Sequence, residues 1–175
     1  MLTVRVNPQL YGAMMTLEEE IHKKRLDSLR RHVGNVIRFA GILGERLIEK
    51  GEDKVGRKLI ANSYQHDHSK FGGIEWLHLH ADGKEANSDL FQAAVLQHVN
   101  TNKHHPEYWG DIHNMPRIFL AELVCDWAAR SSEFGNDLRE WIKDKATKKF
   151  DFKVQSKVYK EIKDLVDVLL DPSFA

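Results

Sequence analysis

The chain has 175 residues, 42% hydrophobic and 30% charged, the size and make-up of one soluble domain with one sizeable core. Its 26 Lys and Arg balance 26 Asp and Glu, so no global field draws in nucleic acid or an anionic membrane, and neither is an expected partner. The single Cys125 excludes an internal disulfide, and no window approaches the roughly 18 apolar residues that span a bilayer or the apolar run of a signal peptide, so the sequence reads as cytoplasmic.

Residues 1–16 form an N-terminal arm in which Leu2 to Val6 alternates like an edge strand before Asn7-Pro8 ends it. Thr16 and Glu19 have capping-box spacing, which starts a helix at Leu17. Its apolar positions Ile21, Leu26, Leu29, Val33, Val36, Ala40, Leu43 and Leu47 keep helical spacing to Gly51, with a break expected near Gly41 or Gly44. His32 sits at the border of that stripe. A second helix over 53–65 delivers His66-Asp67 at its C-terminal end, with Gly72-Gly73 as the stop. Residues 74–87 alternate over Trp76 to His80 and read as irregular, with His78 and His80 as surface or pocket-rim residues rather than ligands.

A third helix, 88–100, places Phe91, Ala94, Val95 and His98 on one face, so His98 turns inward. His104-His105-Pro106-Glu107-Tyr108-Trp109 follows as a loop rich in donors and rings, the rings suited either to stacking on a nucleobase or to anchoring the core. Met115-Pro116 opens the central helix to about Phe134, apolar on nearly every side but for Asp126. A buried carboxylate there needs a metal, or a cation such as Arg117 or Arg130. A short helix around Trp141, a lysine-rich connector and an amphipathic helix over 154–170 complete an all-α domain of five to seven helices, residues 17–175.

Eight of the ten histidines fall between His66 and His113, the clustering of a metal or proton-transfer site. His66-Asp67 supplies an imidazole and a carboxylate from one backbone position, a donor pair suited to zinc, iron or manganese. The order His32, His66-Asp67, Asp126 on successive helices resembles the HD-domain superfamily of metal-dependent phosphohydrolases. The patterns His66-Asp67-x-Ser69-Lys70-Phe71 with Glu75, then His98 and Asn102, then His104-His105-x-Glu107-Tyr108-Trp109, then Met115-Pro116 and Asp126-Trp127, are similar to a family of uncharacterised phage and bacterial proteins. The resemblance covers about residues 17–142.

It implies His32, His66, Asp67 and Asp126 as ligands of a divalent metal (Mn, Fe, Co, Zn or Mg), with Lys70 beside the substrate phosphate. Some members of the superfamily hold two or three metals, which implies a second metal or a phosphate contact at His98 and at His104 or His105. Glu75 is a candidate acid or base, if the turn brings it to the pocket. The implied reaction is hydrolysis of a nucleotide or other small phosphate ester or diester by metal-activated water. Two alternatives stand beside it: a non-catalytic metal- or ligand-binding module, and a di-iron oxygenase. Nothing in the sequence excludes a homo-oligomer.

Overall fold

The computed structural model describes residues 17–80, 84 and 88–174. The arm expected over 1–16 lies outside them. Among the described residues all regular structure is helical, with no strand, and no helix is long and apolar enough to cross a membrane.

Helix α1, Leu17–Glu49, opens with Glu18, Glu19 and Glu20 against the positive end of its dipole. Its 33 residues make a rod of about 50 Å at 1.5 Å per residue. The expected break near Gly41 or Gly44 is absent, and α1 is continuous. Gly44 is needed for a helix crossing. Helix α2, Asp53–Ser63, passes so close that a Cβ on Gly56 would run into the Gly44 carbonyl, and one on Gly44 would meet Gly56 O at 2.9 Å. Two bare glycines let these backbones touch, and that close approach sets where the end of α2 falls relative to α1.

After α2 the chain turns through Tyr64 to Asp67 into a 3-10 turn, His68–Phe71. Helix α3, Gly73–His78, lies where an irregular segment was expected. Gly73, read as part of a stop, is its first residue and takes φ +59°. Helix α4 is Ser88–Thr101, and two 3-10 turns, Pro106–Trp109 and Ile112–Asn114, lead to α5, Arg117–Phe134. A short α6, Leu138–Trp141, runs through a π turn, Ile142–Ala146, into α7, Thr147–Lys149. Helix α8, Lys157–Leu169, starts three residues later than its pattern, because Ser156 Oγ accepts from Tyr159 N and caps it there.

The core is α5 packed against α1, α2 and α8. Leu120, Leu123, Val124 and Cys125 meet Val36, Ala40, Leu43 and Leu47 of α1, Leu59 of α2 and Ile162, Leu165 and Val166 of α8, all at 2% exposure or less. Arg117 ties three elements together. It holds Glu52 with two bonds of 2.7 Å and Asp164 with one of 2.6 Å, joining the first turn of α5 to the entry of α2 and to α8. Arg117 is therefore spoken for, and Asp126, four residues past Glu122 in the same helix, has to find its compensation elsewhere.

Candidate metal centre

Five parts of the chain aim their polar side chains at one point. His32 lies one turn before Val36 on α1 and is 2% exposed. His66 and Asp67 leave the end of α2, and Asp67 takes a left-handed backbone, φ 55°, ψ 19°. That conformation is uncommon for a residue with a side chain, and here it brings two consecutive side chains into the same space. Asp126 projects from the middle of α5, His98 from the last turn of α4, and His104 and His105 from the loop after it.

The Asp67 carboxylate divides the cluster in two. Its Oδ2 lies 3.7 Å from His32 Nε2 and 3.7 Å from His66 Nε2, while Asp126 Oδ1 lies 3.1 Å from His32 Nε2. Its Oδ1 lies 3.4 Å from His98 Nε2 and 3.5 Å from His104 Nε2, and His105 Nε2 is 2.9 Å from His98 Nε2. His32, His66 and Asp126 offer ligand atoms within 4.8 Å of one another, and so do Asp67, His98, His104 and His105. Metal–ligand bonds of about 2.1 Å place neighbouring ligands about 3.0 to 3.4 Å apart, the spacing of the shorter of these contacts.

The donors suit metal for a second reason. His32 Nε2, His66 Nε2, His104 Nε2 and Asp67 Oδ1 are buried and make no hydrogen bond. Each such atom costs about 1–3 kcal/mol when left alone, and four converging on one place are satisfied together by cations. His32 Nε2 lies 3.1 Å from Asp126 Oδ1, and a hydrogen on the other ring nitrogen, toward Glu133, would leave this one free to bind a cation.

Carboxylates favour that choice at three of the buried rings. His32 Nδ1 donates to Glu133 Oε1 (3.0 Å), His66 Nδ1 to Glu122 Oε1 (3.1 Å) and His98 Nδ1 to Glu75 Oε2 (2.8 Å). His104 Nδ1 stands 3.4 Å from the same Glu122 oxygen. The hydrogen on Nδ1 leaves the Nε2 lone pair facing the centre, the arrangement of a metal-ligating histidine backed by a carboxylate.

The charges follow. Burial opposes ionisation of Asp67, but His66, Lys70 and His104 hold it well below the usual carboxylate range. Asp126 is also held low, burial being overcome by His32, His66 and His104. Burial again opposes Glu122, yet bonds from His104 and His66 hold it at about 2. Burial would depress His66, but Asp67 and Glu122 push it up. Burial depresses His98, helped by Lys70, and takes His105 down to about 2 with help from His104 and His98. The last two stay neutral in the fold while the unfolded chain protonates them below about pH 6.5, so their contribution is present above that pH and lost as pH falls. His66 has the opposite sign and keeps its contribution on the acid side. Two groups outweigh one, and the carboxylates titrate lower still. With chelator present, stability is therefore expected to fall between pH 6.5 and pH 5 by on the order of 2 kcal/mol, read as a drop in the urea midpoint; a constant or rising midpoint would contradict it.

The other expected residues are placed as follows. Lys70 Nζ reaches Asp67 Oδ2 at 2.6 Å and lines the cavity beside the centre. Glu75, read as an acid or base, is 1% exposed, with Oε2 taken by His98 Nδ1 and Ser69 Oγ and Oε1 by Gln97. Asn102 donates to Ser69 Oγ (2.9 Å) and extends that network. Arg130 pairs with Glu133, so neither it nor Arg117 holds Asp126. Tyr108 and Trp109 do not line the cavity; Trp109 packs on Phe119 and donates to Lys103 O. His80 is at the rim, and His78 is not. Glu122 and Glu133 escaped the sequence reading, although with Asp126 they lie four and seven residues apart along one face of the helix.

Above the centre opens a cavity of about 740 Å³. It follows two helices: Arg25, Leu29 and His32 along α1, and Asp126, Arg130 and Phe134 along α5. Trp76, Trp127, Trp141 and Phe150 wall it, and Lys70, Lys84 and Lys149 add positive charge.

Set against known proteins, the chain matches no curated protein and no solved structure. Residues 21–171, which include every residue of the centre and, but for the first turn of α1, both helices that frame the cavity, match the family model DUF5662, described as a family of unknown function. The chain belongs to that family.

Proposed function

We propose that this protein is a divalent-metal-dependent phosphohydrolase of the HD type, with two metal positions that share Asp67. The observation that carries the reading is the split carboxylate, one oxygen toward His32, His66 and Asp126 and the other toward His98, His104 and His105. Bound there, divalent ions supply Lewis acidity and lower the pKa of a coordinated water toward neutrality. The chain's own groups do the rest. Lys70 neutralises charge on the phosphate. Glu75, with both oxygens engaged, holds His98 in place.

The cavity supports the substrate class. Arg130 is one helical turn from Asp126, and Arg25 is seven residues, about 10 Å, from His32 along α1. Between them run aromatic walls. That length, its positive charge and its apolar sides suit a phosphate ester carrying a nucleotide-sized apolar body, and a chain of zero net charge has concentrated cations here.

The test is phosphate release from nucleoside mono-, di- and triphosphates and cyclic dinucleotides, with manganese or cobalt added. Cleavage is expected from the wild-type chain and not from Asp126→Ala. No cleavage by metal-loaded protein, or dioxygen uptake with a visible band from oxidised iron, would reject the hydrolase.

A further inference from the structure

Three glutamates behind the histidines, Glu75 and Glu122 buried and Glu133 partly so, divide the centre between them. Glu133 Oε1 accepts from His32 Nδ1 at 3.0 Å and from Asn35 Nδ2 at 3.1 Å, and its other oxygen takes Arg130. It touches a ring of the first position alone. Glu75 Oε2 accepts from His98 Nδ1 at 2.8 Å and from Ser69 Oγ at 2.9 Å, so it touches a ring of the second position alone. Glu122 differs from both. One of its oxygens, Oε1, lies 3.1 Å from His66 Nδ1 and 3.4 Å from His104 Nδ1, and those rings lie tilted at 38° with centroids 4.1 Å apart. His66 faces the first position and His104 the second. His105 has no comparable clamp, since the nearest carboxylate to its Nδ1, on the half-exposed Glu107, is 3.9 Å away.

We infer that Glu122 is a positioning residue shared by both metal positions, while Glu133 serves only the first and Glu75 only the second. The inference rests on the two-position centre described above. Its physical basis is direct. A carboxylate at Nδ1 fixes the tautomer, orients the ring and makes Nε2 a better donor, and losing such a partner weakens metal binding about 10- to 100-fold. Because a single Glu122 oxygen faces both rings, bonded to His66 Nδ1 and 3.4 Å from His104 Nδ1, it cannot move from one without disturbing the other. Asp67 joins the positions from the ligand side, and Glu122 joins them from behind.

Each position can be read in isolation. His98→Ala removes a ligand of the second position and leaves the first, and His32→Ala does the reverse. Into each background go Glu75→Gln, Glu122→Gln and Glu133→Gln, which keep side-chain size. Zinc affinity is then measured by competition with a chromophoric chelator, and urea unfolding of the metal-free chains confirms that each variant folds. Glu122→Gln is expected to weaken zinc about 10- to 100-fold in both backgrounds, Glu133→Gln only where the first position remains and Glu75→Gln only where the second remains.

An unchanged affinity for Glu122→Gln in either background overturns the sharing. So does a background that binds no zinc, since the positions would then not be separable. Equal losses from all three glutamates, matched by lower stability of the metal-free chains, would show a general packing role and overturn the assignment too. No zinc on the wild-type chain would sink the metal centre itself, whereas a two-zinc wild type with the wrong pattern of losses sinks this inference alone. None of these readouts depends on whether the loaded protein hydrolyses phosphate esters.

Discussion

Asp67→Ala is expected to empty both metal positions at once, and no other single substitution of a ligand should do so. His32 and Asp126 reach only the first position, and His98 and His105 only the second, but Asp67 presents one oxygen to each. Elemental analysis should find two equivalents of manganese or zinc on the wild type, as the proposed centre requires, and none on the purified variant. Heat denaturation shows the same loss independently. A metal at a hundred times its Kd stabilises the fold by about 2.7 kcal/mol, so two of them add about 5 kcal/mol, or roughly 10–20 °C in Tm for a chain of this length. Chelator should remove that increment from the wild type and change nothing in Asp67→Ala. If the variant keeps one metal, or loses Tm on chelation as the wild type does, the carboxylate does not bridge. Cleavage should vanish with the metals, but the metal count decides the point first.

How far the sequence announced this centre depends on whether a residue's role is local. The His66-Asp67 pair is written in adjacent letters, and Asp126 stands out as a charge within an apolar helix. Both were legible. His98 was legible as well, because its spacing to Phe91, Ala94 and Val95 places it inward whatever the rest of the chain does. Its partner Glu75 was read by type as a proton carrier, and only the tertiary contact shows its oxygens taken up by His98, Ser69 and Gln97. Glu122 and Glu133 were hidden for the same reason. A carboxylate in a long helix is ordinarily solvated, and only the approach of α1 and the α2 end shows what these two face. The glycines teach a related lesson. Gly41 and Gly44 weaken a helix by propensity, so a break was a reasonable expectation. Contact with Gly56 overrides propensity, since α1 keeps its hydrogen bonds through Gly44 and uses the missing Cβ to admit α2. Residues 74–87 went the other way, with alternating Trp76 to His80 folding partly as the single-turn helix α3, whose Glu75 must point at His98.

Lys70→Met is expected to separate catalysis from metal binding, with effects of opposite sign. In the structure Nζ sits 2.6 Å from Asp67 Oδ2, the oxygen turned toward His32 and His66, so the ammonium competes for the same lone pairs as a metal at the first position. Methionine keeps most of the stem's length and removes the charge. One repulsive neighbour is lost, and zinc should bind at least as tightly as in the wild type. Substrate loses a cation where negative charge builds up on the phosphoryl oxygens, and removing one such group typically costs about 100- to 1,000-fold in kcat. The combination is diagnostic. Were Lys70 only a structural anchor for the Asp67 carboxylate, its loss would loosen that carboxylate, and metal affinity and rate would fall together. Unaltered kcat with tight metal would instead place the phosphate elsewhere along the cavity, toward Arg130 and Lys149, and move the reacting group away from the centre. Because Lys70 is partly exposed and lines the cavity, the variant should fold as the wild type does, and its metal-free urea midpoint provides the check.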